Sequence, residues 1–266
     1  MVSGPNATAM FPGAIDGKHV SIQCPANTGS AFYNYKGAFS TVLLAVADAD
    51  YKFTYVSVGA YGREHDGTIF AKSAFGQRLA DRSLDIPVAG PGELPYVFVA
   101  DEAFPLREQI MRPYAGRRMS TDPEKKRVFN YRLSRARRVV ENTFGILVSK
   151  FRVFRQPINA KLETVDSVVK GACVLHNFLR RRDGTSNDRR YICAGDVDNE
   201  DTTTGRLHSG AWRQHGLGSG LRDGGQMGSN SHTGRAGDTR DRLADYFQSP
   251  GGRVPWQEAV VRRGTQ

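Results

Sequence analysis

Over the first hundred residues, apolar side chains fall into short runs and alternations separated by polar turns, the pattern of strands. GlyAlaIleAspGlyLysHisValSerIle at 13–22 reads as the first strand. SerThrValLeuLeuAlaValAlaAsp at 40–48 is almost continuously apolar, as expected of a strand buried on both faces. AspAlaAsp at 48–50 supplies a turn and LysPheThrTyrValSerVal at 52–58 alternates, so strands two and three are expected to form a hairpin. From 66 to 79 the spacing turns helical behind an Asp in capping position. TyrValPheValAlaAsp at 96–101 predicts a fourth strand that ends on a carboxylate. Longer helices are predicted from Arg132 to Phe151 and from Glu163 to Arg180. Together these elements predict one α/β unit over 13–182, behind a short N-terminal extension at 1–12.

Beyond 182 the periodicity is lost. Residues 183–266 are rich in Gly, Ser, Thr, Asn, Asp and Arg, and GlyLeuGlySerGlyLeuArgAspGlyGly at 216–225 has neither helical nor strand spacing. Such a composition buries too little apolar area to offset the entropy of ordering the chain. The expectation is a largely disordered C-terminal tail that adds no core, with a short helix at 241–247.

The chain has 266 residues and a formal charge of +10. Basic and acidic side chains number 7 and 10 in 1–104, 19 and 6 in 105–182, and 11 and 11 in 183–266. The excess therefore sits in the middle block. A block this basic suits a polyanion, and nucleic acid above all; the competing reading is a solvated helical face. Phosphate contacts are expected from Arg117, Arg118, Lys125, Lys126, Arg135 and Arg138, with Lys18 beside the first candidate carboxylate. No apolar run is long enough to predict a membrane span, and the first residues lack a signal-peptide pattern. Three scattered cysteines, Cys24, Cys173 and Cys193, exclude a disulfide framework and fit a reducing compartment.

Three carboxylates stand where the pattern predicts a buried backbone. Asp16 lies within the first strand, Asp101 ends the fourth, and Glu141 falls among Val139, Val140, Phe144, Ile146 and Leu147. An ionised carboxylate beside a core requires a counter-charge, hydrogen bonds or a metal. Carboxylates from two strands and a helix, if they converge, offer hard oxygen ligands for Mg²⁺ or Mn²⁺. The matching chemistry is cleavage or transfer at a phosphodiester, where two ions about 3.5–4 Å apart serve the attacking and leaving oxygens. Each residue also has a plain structural reading: Asp16 closes a turn, Asp101 caps a helix, and Glu141 pairs with Arg137 or Arg138. Asp66 is a fourth candidate ligand, with helix capping as its plain role. Lys18 shares a strand face with Asp16, as a phosphate contact or as a paired lysine. Cys173 and His176 have ligand-like spacing but no second pair nearby, and read as core or capping groups. Neither a P-loop nor a nucleophile elbow is present.

Six motifs occur in order. They are GlyAlaIleAspGlyLysHisVal at 13–20, TyrAsnTyrLysGlyAlaPheSer at 33–40 and GlyArgGluHisAspGlyThrIlePhe at 62–70. ValAlaAspGluAlaPheProLeu at 99–106, ArgValValGluAsnThrPheGlyIleLeu at 138–147 and CysValLeuHisAsnPheLeu at 173–179 follow. Together they resemble the nuclease domain of PIF/Harbinger-type DDE transposases and their domesticated relatives. The resemblance implies an RNase H-like mixed sheet flanked by helices and a DDE triad binding two divalent ions, Mg²⁺ or Mn²⁺. Carried over by motif, the triad falls on Asp16, Asp101 and Glu141, while Asp66 matches an acidic position suited to an auxiliary ligand. The implied activity is DNA cleavage with water as nucleophile, in the nucleus, and in a complete transposase strand transfer by a DNA 3′-hydroxyl. Relatives carry a helical region ahead of the first catalytic strand, which here begins near residue 13, so a separate DNA-binding partner is expected. A catalytically inactive, domesticated descendant that binds DNA or assembles with partners is the open alternative. Glu102 stands where relatives have a small residue, and alternation turns it away from Asp101.

Overall fold

Two central strands explain the apolar runs. β1 (Ala14–Ser21) and β2 (Ser40–Ala47) are buried at every position and pair antiparallel, from Ala14 opposite Ala47 to Ser21 opposite Ser40. β3 (Phe53–Tyr61) completes the hairpin with β2, and the Asp48 carboxylate closes its turn by accepting the N–H groups of Asp50 and Lys52. On the other side, β4 (Phe98–Val99) runs parallel to β1, and β5 (Ile110–Met111) parallel to β4. The order β3-β2-β1-β4-β5 makes a mixed sheet, the α/β, RNase H-like class expected. The computed structural model describes residues 11–90, 92–115, 122–182, 191–193, 195–214, 221–223 and 233–263.

Helices cover both faces. α1 (Asp66–Lys72) and α2 (Ala74–Ala80) pack Ile69, Phe70 and Phe75 against Ile15, Val42 and Leu44. The single helix predicted over 66–79 is broken at Ser73, whose backbone is extended and whose hydroxyl accepts the Gly76 N–H at 3.0 Å. On the opposite face lie α3 (Pro123–Lys150) and α4 (Leu162–Arg182), which bury Val140, Phe144, Val165 and Val169. α3 begins at Pro123 rather than Arg132 because Asp122 caps it and Pro suits the first turn.

The C-terminal residues depart most from expectation. β6 (Asn199–Glu200) and β7 (Leu207–His208) form a small hairpin, followed by α5 (Ala211–Gln214). β8 (Leu221–Asp223) joins the main sheet, antiparallel to β1 at Lys18–Val20. α6 (Gly234–Gln248) and α7 (Gln257–Arg263) contact α3. Leu221, Leu243, Ala244 and Phe247 belong to the same core as Phe129 and Phe144. The described part of 183–266 thus adds core, where composition predicted none. Its apolar residues are few but lie on one face of α6, and they dock on a surface that α3 already supplies. The other residues assigned to a disordered tail, at 183–190, 194, 215–220, 224–232 and 264–266, lie outside the described residues. Among the described residues, no helix is long and apolar enough to cross a membrane.

Candidate active site

Strand alternation sorts the first motif onto two faces. Asp16 and Lys18 point toward α3, while Gly17 points toward α1. Asp16 sits in mid-strand opposite Ala45, so it closes no turn, and its carboxylate is 3.4 Å from the Lys18 ammonium. Both side chains are buried, and the ammonium lies 5.6 Å from the centre of the Phe144 ring on α3. The parallel register of β1 and β4 sets Ala14 opposite Val99. Asp16 and Asp101 each follow two residues later, which brings both carboxylates to the α3 side. No helix follows Asp101, so it caps none; its carboxylate accepts the Ala103 N–H at 2.9 Å within a turn. Glu141 comes from α3, with its two oxygens 3.5 Å from Arg137 and 3.6 Å from Arg213.

Electrostatics tie the three acids together. Burial, and then the negative charge of Asp16, push the Asp101 carboxyl above its ordinary pKa, opposed by Arg137 and Lys18. Burial also raises Glu141; Arg137 is the largest opposing influence, Asp16 adds to the rise, and Lys18 and Arg213 work against it. Among the described residues, no three His, Cys, Asp or Glu side chains stand close enough together to hold a metal ion. The acids share a field without being gathered into a coordination sphere.

Asp66 does not join them. It is the first residue of α1, where His65 takes the capping position without a side-chain hydrogen bond, so Asp66 is not the cap. A β-carbon at Gly17 would lie 2.3 Å from the Asp66 carboxylate, which therefore sits on the face of β1 opposite Asp16. Of the expected phosphate contacts, Arg117 and Arg118 lie outside the described residues. Lys125 pairs with Asp245, Arg135 with Glu200 at 2.6 Å, and Arg138 approaches Glu200 at 4.0 Å. Lys126 lies 5.6 Å from the centre of the Tyr114 ring. Arg132, from the same basic run, is buried; it donates to the Gly252 carbonyl at 2.6 Å, and burial pulls its pKa down to about 10. Lys125, Arg135 and Arg138 are thus partners of the C-terminal segment rather than an open track for phosphates. His176 and Cys173 are buried in the core; the His176 ring contacts the Tyr51 carbonyl and the Tyr191 hydroxyl.

The family model of the DDE superfamily endonucleases matches residues 15–177. The chain belongs to this family. Protein ALP1-like of Arabidopsis thaliana is 29% identical over 179 residues, which is 63% of this chain and 42% of that protein. The alignment thus spans less than half the length of that relative. No solved structure gives a significant match. Two features of the site have no counterpart in the sequence reading. Asn142, beside Glu141, is buried and bonded to the C-terminal segment, and Arg213 reaches Glu141 from beyond the matched region. A polar Asn within an apolar helical stretch was the available signal for the first; nothing local marked the second.

Proposed function

We propose that this chain is a divalent-metal-dependent DNA nuclease of transposase descent, hydrolysing phosphodiesters with water as nucleophile in the nucleus. The observation that carries the reading is the common face of Asp16, Asp101 and Glu141, with Asp16 raising the proton affinity of the other two. Acids that oppose one another's ionisation gain from a cation between them, and their hard oxygens fit Mg²⁺ or Mn²⁺. Asp16, Asp101 and Glu141 would hold the ions. When bound, such ions activate the attacking water and stabilise the leaving oxygen. Lys18 and Arg137 stand beside the carboxylates as counter-charges for an incoming phosphate. A separate DNA-binding protein partner belongs to the same reading.

The full chain is expected to nick supercoiled plasmid with Mg²⁺ or Mn²⁺. Asp16→Asn, Asp101→Asn and Glu141→Gln should each lower the rate by ~10³-fold or more, the scale of losing a principal charge-stabilising group. Undiminished cutting by these variants overturns the assignment. A second reading, a non-catalytic DNA-binding or assembly protein, is favoured by the ion pairs that engage Asp16 and Glu141. Calorimetric titration with Mn²⁺ separates the two: saturable binding that Asp16→Asn removes supports the nuclease, and its absence supports the second reading.

A further inference from the structure

Arg213 has a setting unlike that of an ordinary surface arginine. Its Nε donates to both oxygens of Asp198 at 2.9 Å, and its Nη2 donates to Asp198 at 2.5 Å. The Asp198 side chain is fully buried and also accepts the Gly210 N–H at 2.8 Å. The guanidinium lies 4.3 Å from the centre of the Trp212 ring, and its Nη2 is 3.6 Å from Glu141. Orientation is therefore fixed before any ligand arrives, while 40% of the side chain stays exposed.

The anchorage of this segment accounts for residues that the three acids leave unexplained. Asn142 Oδ1 accepts the Trp212 indole N–H at 2.9 Å and the Asp198 backbone N–H at 3.0 Å. Its amide nitrogen donates to the Asp198 carbonyl at 3.3 Å. Gly145 lies under the indole: a β-carbon there would stand 2.3 Å from the Trp212 ring. One stretch of α3 thus offers Glu141 to the chemistry and, through Asn142 and Gly145, seats the segment that returns an arginine to Glu141.

We propose that Arg213 is a phosphate-binding residue of the nuclease site, contacting the phosphodiester of the DNA strand to be cut. Three acids repel a polyanion, so a strand reaching them needs positive charge at the point of approach. A planar guanidinium whose Nε and Nη2 are held by a buried carboxylate is already oriented, so a phosphate contact from its exposed part costs little further loss of freedom. This inference rests on the nuclease reading for its site, but binding tests it separately.

Full-length protein is titrated into a fluorescein-labelled duplex without divalent metal, by anisotropy over a range of salt. Arg213→Gln is expected to weaken binding about tenfold and to lower the slope of log affinity against log salt by about 0.9, one phosphate contact. Arg213→Lys should recover most of the slope. Because Arg213→Gln strands a buried Asp198 charge, the double variant Asp198→Asn/Arg213→Gln serves as the folding-neutral form and must show the same loss. Unchanged affinity and slope in the double variant, or no measurable binding by the parent protein, overturns the proposal. Arg213-dependent binding without cleavage by the parent protein overturns the nuclease reading and leaves of this one only a DNA phosphate contact at Arg213.

Discussion

Asp16 and Asp66 are buried carboxylates set back to back across β1, and their surroundings differ completely. Asp16 shares its face with Asp101 and Glu141, and its charge, with those of Arg137 and Lys18, acts on the proton affinity of both. Asp66 lies against the backbone of Gly17, at the start of a helix whose Ile69 and Phe70 pack with Phe104. A single step along a strand separates chemistry from architecture. Burial of an acid does not define a site; convergence of several charges does.

The largest expected contrast is in activity. Asp16→Asn should cost ~10³-fold in metal-dependent nicking, whereas Asp66→Asn should stay within about threefold, since it adds no group to the reacting face. Equal losses would erase the distinction between the faces. In stability the order reverses. Gly17→Ala drives a methyl into the Asp66 carboxylate and should cost about 1–3 kcal/mol in urea unfolding, as overpacking does. Asp66→Ala in the same chain should return much of it, and a Gly17→Ala protein as stable as its parent would show that the close approach is not sterically limiting.

The smallest effect concerns pH. Burial raises the folded-state pKa of Asp101 and Glu141, so each contributes stability that is complete below its ordinary value, 3.8 and 4.5 respectively. That contribution is lost as pH climbs through the folded value. Asp101→Asn and Glu141→Gln should therefore melt a few degrees above the parent protein at pH 7 without metal. The gain should vanish at about pH 3.5, below the ordinary carboxylate range. A lower melting temperature at pH 7 would mean that the pairs with Arg137 and Arg213 outweigh burial.

Much of the sheet was legible because β1 and β2 are buried on both faces, so burial wrote itself into continuous apolar sequence. The three acids were legible as polar interruptions of apolar stretches, in β1, just after β4 and in α3. The face of Asp66 was not, because it depends on Gly17 and Asp66 meeting across 48 intervening positions in a chain that shows only an Asp at a helix start. The break at Ser73 was hidden by apolar spacing that continues through it. The C-terminal packing was concealed by averaging. Leu243 and Phe247 are lost in a glycine-rich mean, and a balance of 11 against 11 conceals that Glu200 and Asp245 are aimed at α3 while Arg213 is aimed at Glu141.

The pairing of β8 with Lys18–Val20 carries a consequence for synthesis. The strand bearing Asp16 leaves the ribosome well before this partner, and its edge at Lys18–Val20 stays open until residues 221–223 have followed. In that interval the nascent chain exposes unpaired backbone groups close to Asp16, the kind of edge that recruits other strands. Closing so long a loop adds little to the equilibrium cost, which grows only with the logarithm of length, but it delays completion. The central strand is completed only when residues 221–223 join it, and the surroundings of Asp16 settle no earlier.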